Sequence, residues 1–124
     1  MGPHPNTPTA VDDMDPLICA AIASRRLLMF GYRNQVRVVE PHIHGESTAG
    51  NETLSAWLRP GYSRTDPGGG WRMYRVDALV DVQALDAAFD GARPGYNPDD
   101  AHFARIYCRL APAPRLTLEA DAGP

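Results

Sequence analysis

Arginine and aromatic side chains occur together in the middle of this chain, most densely in the segment WRMYR at residues 71–75. A guanidinium forms forked hydrogen bonds with phosphate or carboxylate, and an aromatic ring can stack on a planar base. Residues of both types fall on predicted strands that would be neighbours in a small sheet. The candidates for an anion-binding cleft are therefore Tyr32, Arg37, Trp57, Arg72, Tyr74 and Arg75.

Strand periodicity separates these candidates. Alternate residues of a strand point to opposite faces, so Arg72 and Arg75 need not serve one site. Tyr74 and Val76 form a normal inward face, and surface arginines around core aromatics are the plainer interpretation of the whole pattern. We expect Arg37 and Arg75 to face the ligand, and Arg72 to pair with an acidic residue or with solvent.

The segment His42-Ile43-His44 has the one spacing typical of a metal site. On a strand both imidazoles would share a face and could meet one ion. Further ligands would have to come from His102, Glu40, Glu46 or aspartates, and the spacing selects none of them. We therefore expect no metal and no cofactor, and keep His44 as a candidate lining residue of the ligand site.

The sequence contains little that indicates catalysis. No serine lies in a G-x-S-x-G elbow, and neither a P-loop nor a dinucleotide fingerprint is present, so we expect no enzymatic activity. Cys19 and Cys108 could pair, but two cysteines are not a disulfide framework. We expect both to be reduced and to act as small, buried or half-buried apolar side chains.

Charge is unevenly distributed along the 124 residues. All twelve basic residues are arginine, and the formal net charge is −3. Residues 25–75 hold eight arginines and four acids, whereas the segments on either side are acidic. The net charge argues against a protein that coats DNA generally, while the distribution favours one basic cleft on an acidic body, unless it is chance.

The pattern of elements predicts one mainly β domain with flanking helices. We expect a disordered tail at 1–13, a domain at 14–110 and a loose tail at 111–124. A helix should begin at Asp15 with Pro16 in its first turn, and its apolar stripe should include Leu17, Ile18, Ala21 and Ile22. A second helix should begin at Asn97 and run to about Ala104. Six strands are predicted, and they cover 27–32, 35–43, 52–60, 71–80, 81–85 and 105–110. A hairpin turn at Arg33-Asn34 joins the first two, and short strands in this number suggest a small closed barrel. Pro41 and Gly45 should disturb the second strand.

The order of these motifs resembles the WYL domain family over roughly residues 17–89. The matching parts are a helix that ends in LLMFGY, RVVEP at 37–41, LSAWL at 54–58 and RMYRVDAL at 72–79. The family's typical R-x-F-R-L-D-R-I has arginine where this chain has Ala78, and its Trp-Tyr-Leu run is degenerate here. The resemblance implies an SH3-like or Sm-like β-barrel preceded by a helix.

The resemblance also implies a function. Family members are regulatory ligand-sensing modules, commonly joined to a helix-turn-helix in bacterial transcription regulators and sometimes associated with phage defence. Carried over, Arg37, Arg72 and Arg75 would be pocket cations, and Tyr32 and Trp57 stacking surfaces. Residues 1–16 offer no helix-turn-helix, so we expect a stand-alone copy that acts through a partner.

We therefore expect a cytoplasmic, non-membrane binding module for an anionic ligand, either single-stranded nucleic acid or a nucleotide. The alternative is a protein–protein interaction subunit that assembles with a partner or with itself through barrel edge strands.

Overall fold

A computed structural model describes residues 11–61 and 68–111 of the chain. This part is mainly β, with one N-terminal helix and a six-stranded antiparallel sheet. Its elements are α1 (Val11–Ser24), β1 (Arg26–Tyr32), β2 (Gln35–Ser47), β3 (Glu52–Leu58), β4 (Gly70–Arg75), a short 3₁₀ turn (Val76–Ala78), β5 (Val80–Ala88) and β6 (Phe103–Arg109). The strand order is β4-β3-β2-β1-β5, and β6 pairs with β2. In the described residues no pairing joins β4 to β5, so the sheet is open.

The helix α1 begins earlier than the sequence predicts. It starts at Val11 rather than at Asp15, and Pro16 lies inside it. Proline has no amide hydrogen and its ring crowds the preceding turn, so α1 lacks one backbone hydrogen bond at this position. The predicted apolar stripe is confirmed, because Ile18, Ala21 and Ile22 are buried. The predicted tail at 1–13 otherwise lies outside the described residues, as does nearly all of 111–124.

The β1–β2 hairpin is confirmed. Tyr32 pairs with Gln35, and the two residues between them have positive φ angles, 52° at Arg33 and 65° at Asn34. Two successive left-handed residues are the backbone of a type I′ turn, whose twist matches that of the strands it joins. Asparagine adopts this conformation readily, which explains why the chain turns at this dipeptide.

The long strand β2 organises the sheet. Its first half pairs with β1 up to Val39, its second half pairs with β6 from Ile43, and β3 follows it along the other edge. As predicted, Pro41 and Gly45 disturb this strand, although neither ends it. The pairing with β3 shifts register between Pro41 and Ile43, and the pairing with β6 shifts between His44 and Gly45. A bulge of this kind accommodates a residue without an amide hydrogen.

Two predicted elements near the later part of the chain are wrong. The fourth strand ends at Arg75, where the 3₁₀ turn begins, instead of continuing to residue 80. Residues 97–102 form turns and not a helix. The Asn97 side chain accepts a hydrogen bond from the Asp99 amide, and that of Asp100 accepts one from the His102 amide. Short polar side chains that satisfy nearby amides in this way stabilise turns as well as helix starts.

The buried core combines residues of α1 with residues of the sheet, where Tyr74 of β4 contacts Phe30 of β1, and the two cysteines meet where α1 packs against the sheet. Because α1 packs against β2 and β6, Cys19 and Cys108 come together across 89 residues of sequence and form a disulfide bond. The expectation of two reduced cysteines is therefore wrong. Sequence spacing could not reveal this contact, since it depends on tertiary packing.

In the described part of the chain, no helix is long and apolar enough to cross a membrane.

Gly45 provides a test of the β2–β6 pairing. A Cβ atom there would collide with the Arg105 carbonyl oxygen and lie 3.0 Å from the Ile106 Cα. We expect Gly45→Ala to lower the free energy of unfolding by about 1–3 kcal/mol, because backbone atoms must move apart. Gly31→Ala is the control, since its Cβ would meet Val80 Cβ at an ordinary 3.5 Å. Urea denaturation of both variants measures the difference; equal stabilities would contradict the described β2–β6 contact.

Candidate ligand pocket

A pocket of about 540 Å³ opens beside the first half of β2. Its walls come from that strand, from the residue after β3 and from the segment after β5. The lining residues are Glu40, Arg59, Ala88, Phe89, Asp90, Gly91, Ala92, Arg93 and Pro94. Two arginines and two acids thus meet at one concave surface, so the pocket is the strongest candidate for a ligand site within the described residues.

The Glu40 carboxylate is buried at the base of this pocket and holds both arginines. Arg93 donates to it from Nε at 2.9 Å and from Nη2 at 2.8 Å, and Arg59 donates from Nη1 at 3.0 Å. Burial raises the pKa of the Glu40 carboxyl, but the hydrogen bonds and positive charges of Arg93 and Arg59 together outweigh it. The net pKa lies below the ordinary value, so Glu40 is ionised at neutral pH.

Glu40 fixes the two guanidinium groups without occupying all of their N–H donors. Arg59 and Arg93 side chains are 36% and 39% exposed, whereas that of Glu40 is 1% exposed. Each guanidinium has five N–H donors, and the contacts with Glu40 occupy only part of each set. Arg93 also lies over the Trp57 ring, with Cζ 5.0 Å from the ring centroid. Donors therefore remain for a ligand in the pocket, and their positions are set in advance.

His42 joins the base of the pocket to its outer wall. Its Nε2 accepts a hydrogen bond from the Arg93 amide at 3.2 Å, and its Nδ1 is 2.8 Å from the Glu40 carbonyl oxygen. Only the neutral ring with hydrogen on Nδ1 satisfies both partners. Burial lowers the pKa of the His42 imidazole, which agrees with this neutral state. With both nitrogens engaged, His42 has no lone pair left for a metal.

Aromatic contacts hold the wall segment from the other side. Trp71 donates from Nε1 to the Pro94 carbonyl oxygen at 2.9 Å, and its ring stacks with that of Tyr96. The Tyr96 hydroxyl donates to the Leu110 carbonyl oxygen at 2.6 Å. At the start of the segment, Arg25 Nη1 donates to the Asp90 carbonyl oxygen at 2.8 Å. The loop is therefore anchored at several points, and the pocket is preformed.

Of the predicted ligand residues, Trp57 contacts this arrangement, because Arg93 lies over its ring. Tyr32 and Arg37 lie together at the far end of β1 and β2, with Arg37 Cζ 5.6 Å from the Tyr32 centroid. Arg37 is buried, and within residues 11–61 and 68–111 its Nε has no hydrogen-bond partner.

The other predicted residues lie apart from one another. Arg72 is half-buried and donates to the carbonyl oxygens of Gly69 and Trp71. Arg75 is exposed and pairs with Asp77 at 2.7 Å. His44 is buried beside Cys19 and bonds Glu52, so it lies outside the pocket lining.

Sequence patterns missed the central residues of the pocket. Glu40 lies in an apolar strand segment, and a buried acid in such a position must find cations nearby. That signal could have drawn attention to Glu40, but its partners lie 19 and 53 residues away. Only the folded chain identifies Arg59 and Arg93.

In comparisons with known proteins, no family model, no curated protein and no solved structure matches this chain. The resemblance to the WYL domain family therefore stays a prediction.

Glu40→Gln tests whether this carboxylate stabilises the fold. We expect Glu40→Gln to lower the free energy of unfolding by about 1–3 kcal/mol at pH 7. This is less than for a fully buried ion pair, because Arg59 and Arg93 are partly exposed and can rehydrate. A lowered pKa stabilises the fold above the ordinary value of 4.5 and loses that effect as pH falls through the folded pKa. The gap between wild type and variant should therefore narrow below pH 4.5.

Chemical denaturation from pH 3 to pH 7 measures that gap. Asp86→Asn, at a fully exposed carboxylate, is the control for loss of one negative charge and should change stability little. A gap that stays constant or widens at low pH would mean that the ionised Glu40 carboxylate does not hold the two arginines.

Proposed function

We propose that the protein is a non-enzymatic binding module for a small anionic ligand, held in the pocket at Glu40. The observation that supports this proposal is the convergence of Arg59 and Arg93 on one buried carboxylate at the base of a preformed cavity. Each arginine keeps hydrogen-bond donors for a ligand. A phosphate or carboxylate is the group that such paired guanidiniums bind best.

The acids of the pocket narrow the class of ligand. Glu40 and Asp90 balance the charges of Arg59 and Arg93, so the pocket is formally neutral. A dense polyanion would meet Asp90 as well as the arginines. A compact ligand with one anionic group and separate hydrogen-bond donors fits better, because the donors can face Asp90. A nucleotide-like molecule has both features, and 540 Å³ lies within the usual range for such ligands.

The regulatory role expected from the WYL resemblance is part of this proposal. A ligand sensor of this kind would pass its signal to a partner protein, for example in transcription regulation or phage defence, from a cytoplasmic location. The proposal includes the closed barrel expected from the sequence, which would need a pairing between β4 and β5. The continuous β2, which pairs with β1 and β6 in succession, favours such a curved sheet.

A second candidate function is a protein–protein interaction subunit. The strand β5 is nine residues long and lies at the end of the sheet, and most of its residues are exposed. Val80 is 57% exposed, although it is apolar. An exposed edge of this length can accept a strand from another chain. Size-exclusion chromatography over a range of concentrations distinguishes this candidate, since it requires an assembly that forms without ligand.

Titration with adenosine monophosphate, followed through tryptophan fluorescence, tests the binding proposal. Arg93 lies over Trp57, so an anion that engages Arg93 should change the emission. We expect saturable binding that Arg59→Gln and Arg93→Gln each weaken at least tenfold, because each removes charged hydrogen bonds. Uncharged adenosine should bind more weakly than the monophosphate.

Arg75→Gln is the matched control, since Arg75 is an exposed arginine of the same sheet. Arg37→Gln and a labelled single-stranded oligonucleotide test the cleft predicted from the sequence. Loss of binding through Arg37 or Arg75, with Arg59 and Arg93 dispensable, would move the site to that cleft. If adenosine monophosphate, adenosine and the oligonucleotide all fail to bind at high micromolar protein, the proposal is contradicted.

A further inference from the structure

A second cluster of chemically reactive residues lies at the other half of β2, outside the proposed ligand pocket. Cys19 comes from α1, His44 from β2 and Cys108 from β6, where His44 and Cys108 are direct cross-strand partners. The ligand-type atoms of the three residues all lie within 4.8 Å of one another. His44 is fully buried and the cysteines are half-buried, so three separate elements converge on one partly shielded point.

The imidazole of His44 is oriented by a carboxylate. Its Nε2 lies 2.6 Å from Glu52 Oε2, and its Nδ1 lies 3.9 Å from the Cys19 sulfur. The carboxylate partner places the hydrogen on Nε2, so the lone pair on Nδ1 faces the sulfur. A carboxylate on one imidazole nitrogen, with the other nitrogen turned towards the ligand position, is the arrangement in which metal-binding histidines are usually held. The disulfide bond itself requires neither the histidine nor the carboxylate.

We propose that Cys19, His44 and Cys108 form a binding site for Zn²⁺ when the disulfide is reduced. Two thiolates and one imidazole are a donor set that zinc prefers, and Glu52 is the outer partner that fixes the imidazole. With Zn–S of about 2.3 Å and Zn–N of about 2.0 Å, tetrahedral ligand atoms lie about 3.5–3.8 Å apart. The distance from Nδ1 to the Cys19 sulfur is already close to this value. The fourth position falls to solvent or to an exogenous ligand.

Metal binding and disulfide formation exclude each other at this site. A dithiol reductant transfers two electrons to the Cys19–Cys108 bond, which breaks and takes up two protons, while the reductant becomes a disulfide. Zn²⁺ then displaces both thiol protons as it binds the two thiolates. In the reverse direction, a disulfide oxidant takes two electrons from the thiolates, the protein disulfide forms again and Zn²⁺ leaves. The site thus couples metal occupancy to the thiol redox state.

The experiment uses the untagged full chain in two states, reduced with a phosphine and oxidised. Each is incubated with excess Zn²⁺, freed of unbound metal and analysed by elemental analysis and native mass spectrometry. We expect about one Zn²⁺ per reduced chain and none per oxidised chain. Co²⁺ should replace Zn²⁺ and give sulfur-to-cobalt charge-transfer absorption, which reports thiolate ligation directly. Bound Zn²⁺ should also protect both cysteines from alkylation.

Variants assign the ligands. His44→Asn should abolish stoichiometric binding, and Glu52→Gln should weaken it about 10- to 100-fold by freeing the imidazole. The matched control is His102→Ala, an exposed histidine that should leave binding unchanged. Arg93→Gln should also retain the metal, so failure of the ligand-pocket proposal and failure of this one are distinguishable. Circular dichroism identifies any variant that does not fold.

The wild-type measurements decide the proposal even if a variant unfolds. Reduced, folded wild-type protein that binds no Zn²⁺, or that gives no charge-transfer band with Co²⁺, would overturn it and leave a disulfide alone. Binding that survives His44→Asn with unchanged affinity would also overturn the assigned ligand set.

Discussion

One buried carboxylate sets the structure of the candidate pocket. An ionised Glu40 in an apolar part of the sheet would be costly without partners, and it obtains them from Arg59 after β3 and Arg93 after β5. The ion pairs therefore fix the end of one strand and the loop after another against β2. The same contacts bring two guanidiniums to one surface, so the interaction that satisfies a buried charge also creates a place where an anion can bind.

The strand β2 separates two kinds of chemistry along its length. Glu40 and His42 belong to the pocket, whereas His44 belongs to the cysteine cluster. The two histidines are only two residues apart, yet His42 lies within the register shift between Pro41 and Ile43 and His44 lies beyond it. His42 is bonded through both nitrogens within the pocket wall, while His44 directs one nitrogen at sulfur. The proposed ligand pocket and the proposed zinc site therefore lie on opposite halves of one strand.

Sequence reasoning recovered local features and missed those that depend on tertiary contacts. The mainly β class, the Arg33-Asn34 turn and the apolar stripe of α1 follow from short-range patterns, and the structure confirms them. The prediction of a helix at Asn97 is wrong because the same polar side chains stabilise turns and helix starts. The disulfide and the Glu40 pocket could not be predicted, since their members lie up to 89 residues apart and meet only through packing. Of the predicted ligand residues, Trp57 contacts a pocket arginine, since Arg93 lies over its ring.

The most direct test of the central claim is an NMR titration of the arginine side-chain Nε–H signals with adenosine monophosphate. Because Glu40 holds Arg93 through Nε, that signal should be protected from exchange in the unliganded protein. We expect the signals of Arg93 and Arg59 to shift on ligand addition while that of Arg75 stays in place. Shifts confined to Arg37 or Arg75, with Arg59 and Arg93 unchanged, would contradict it.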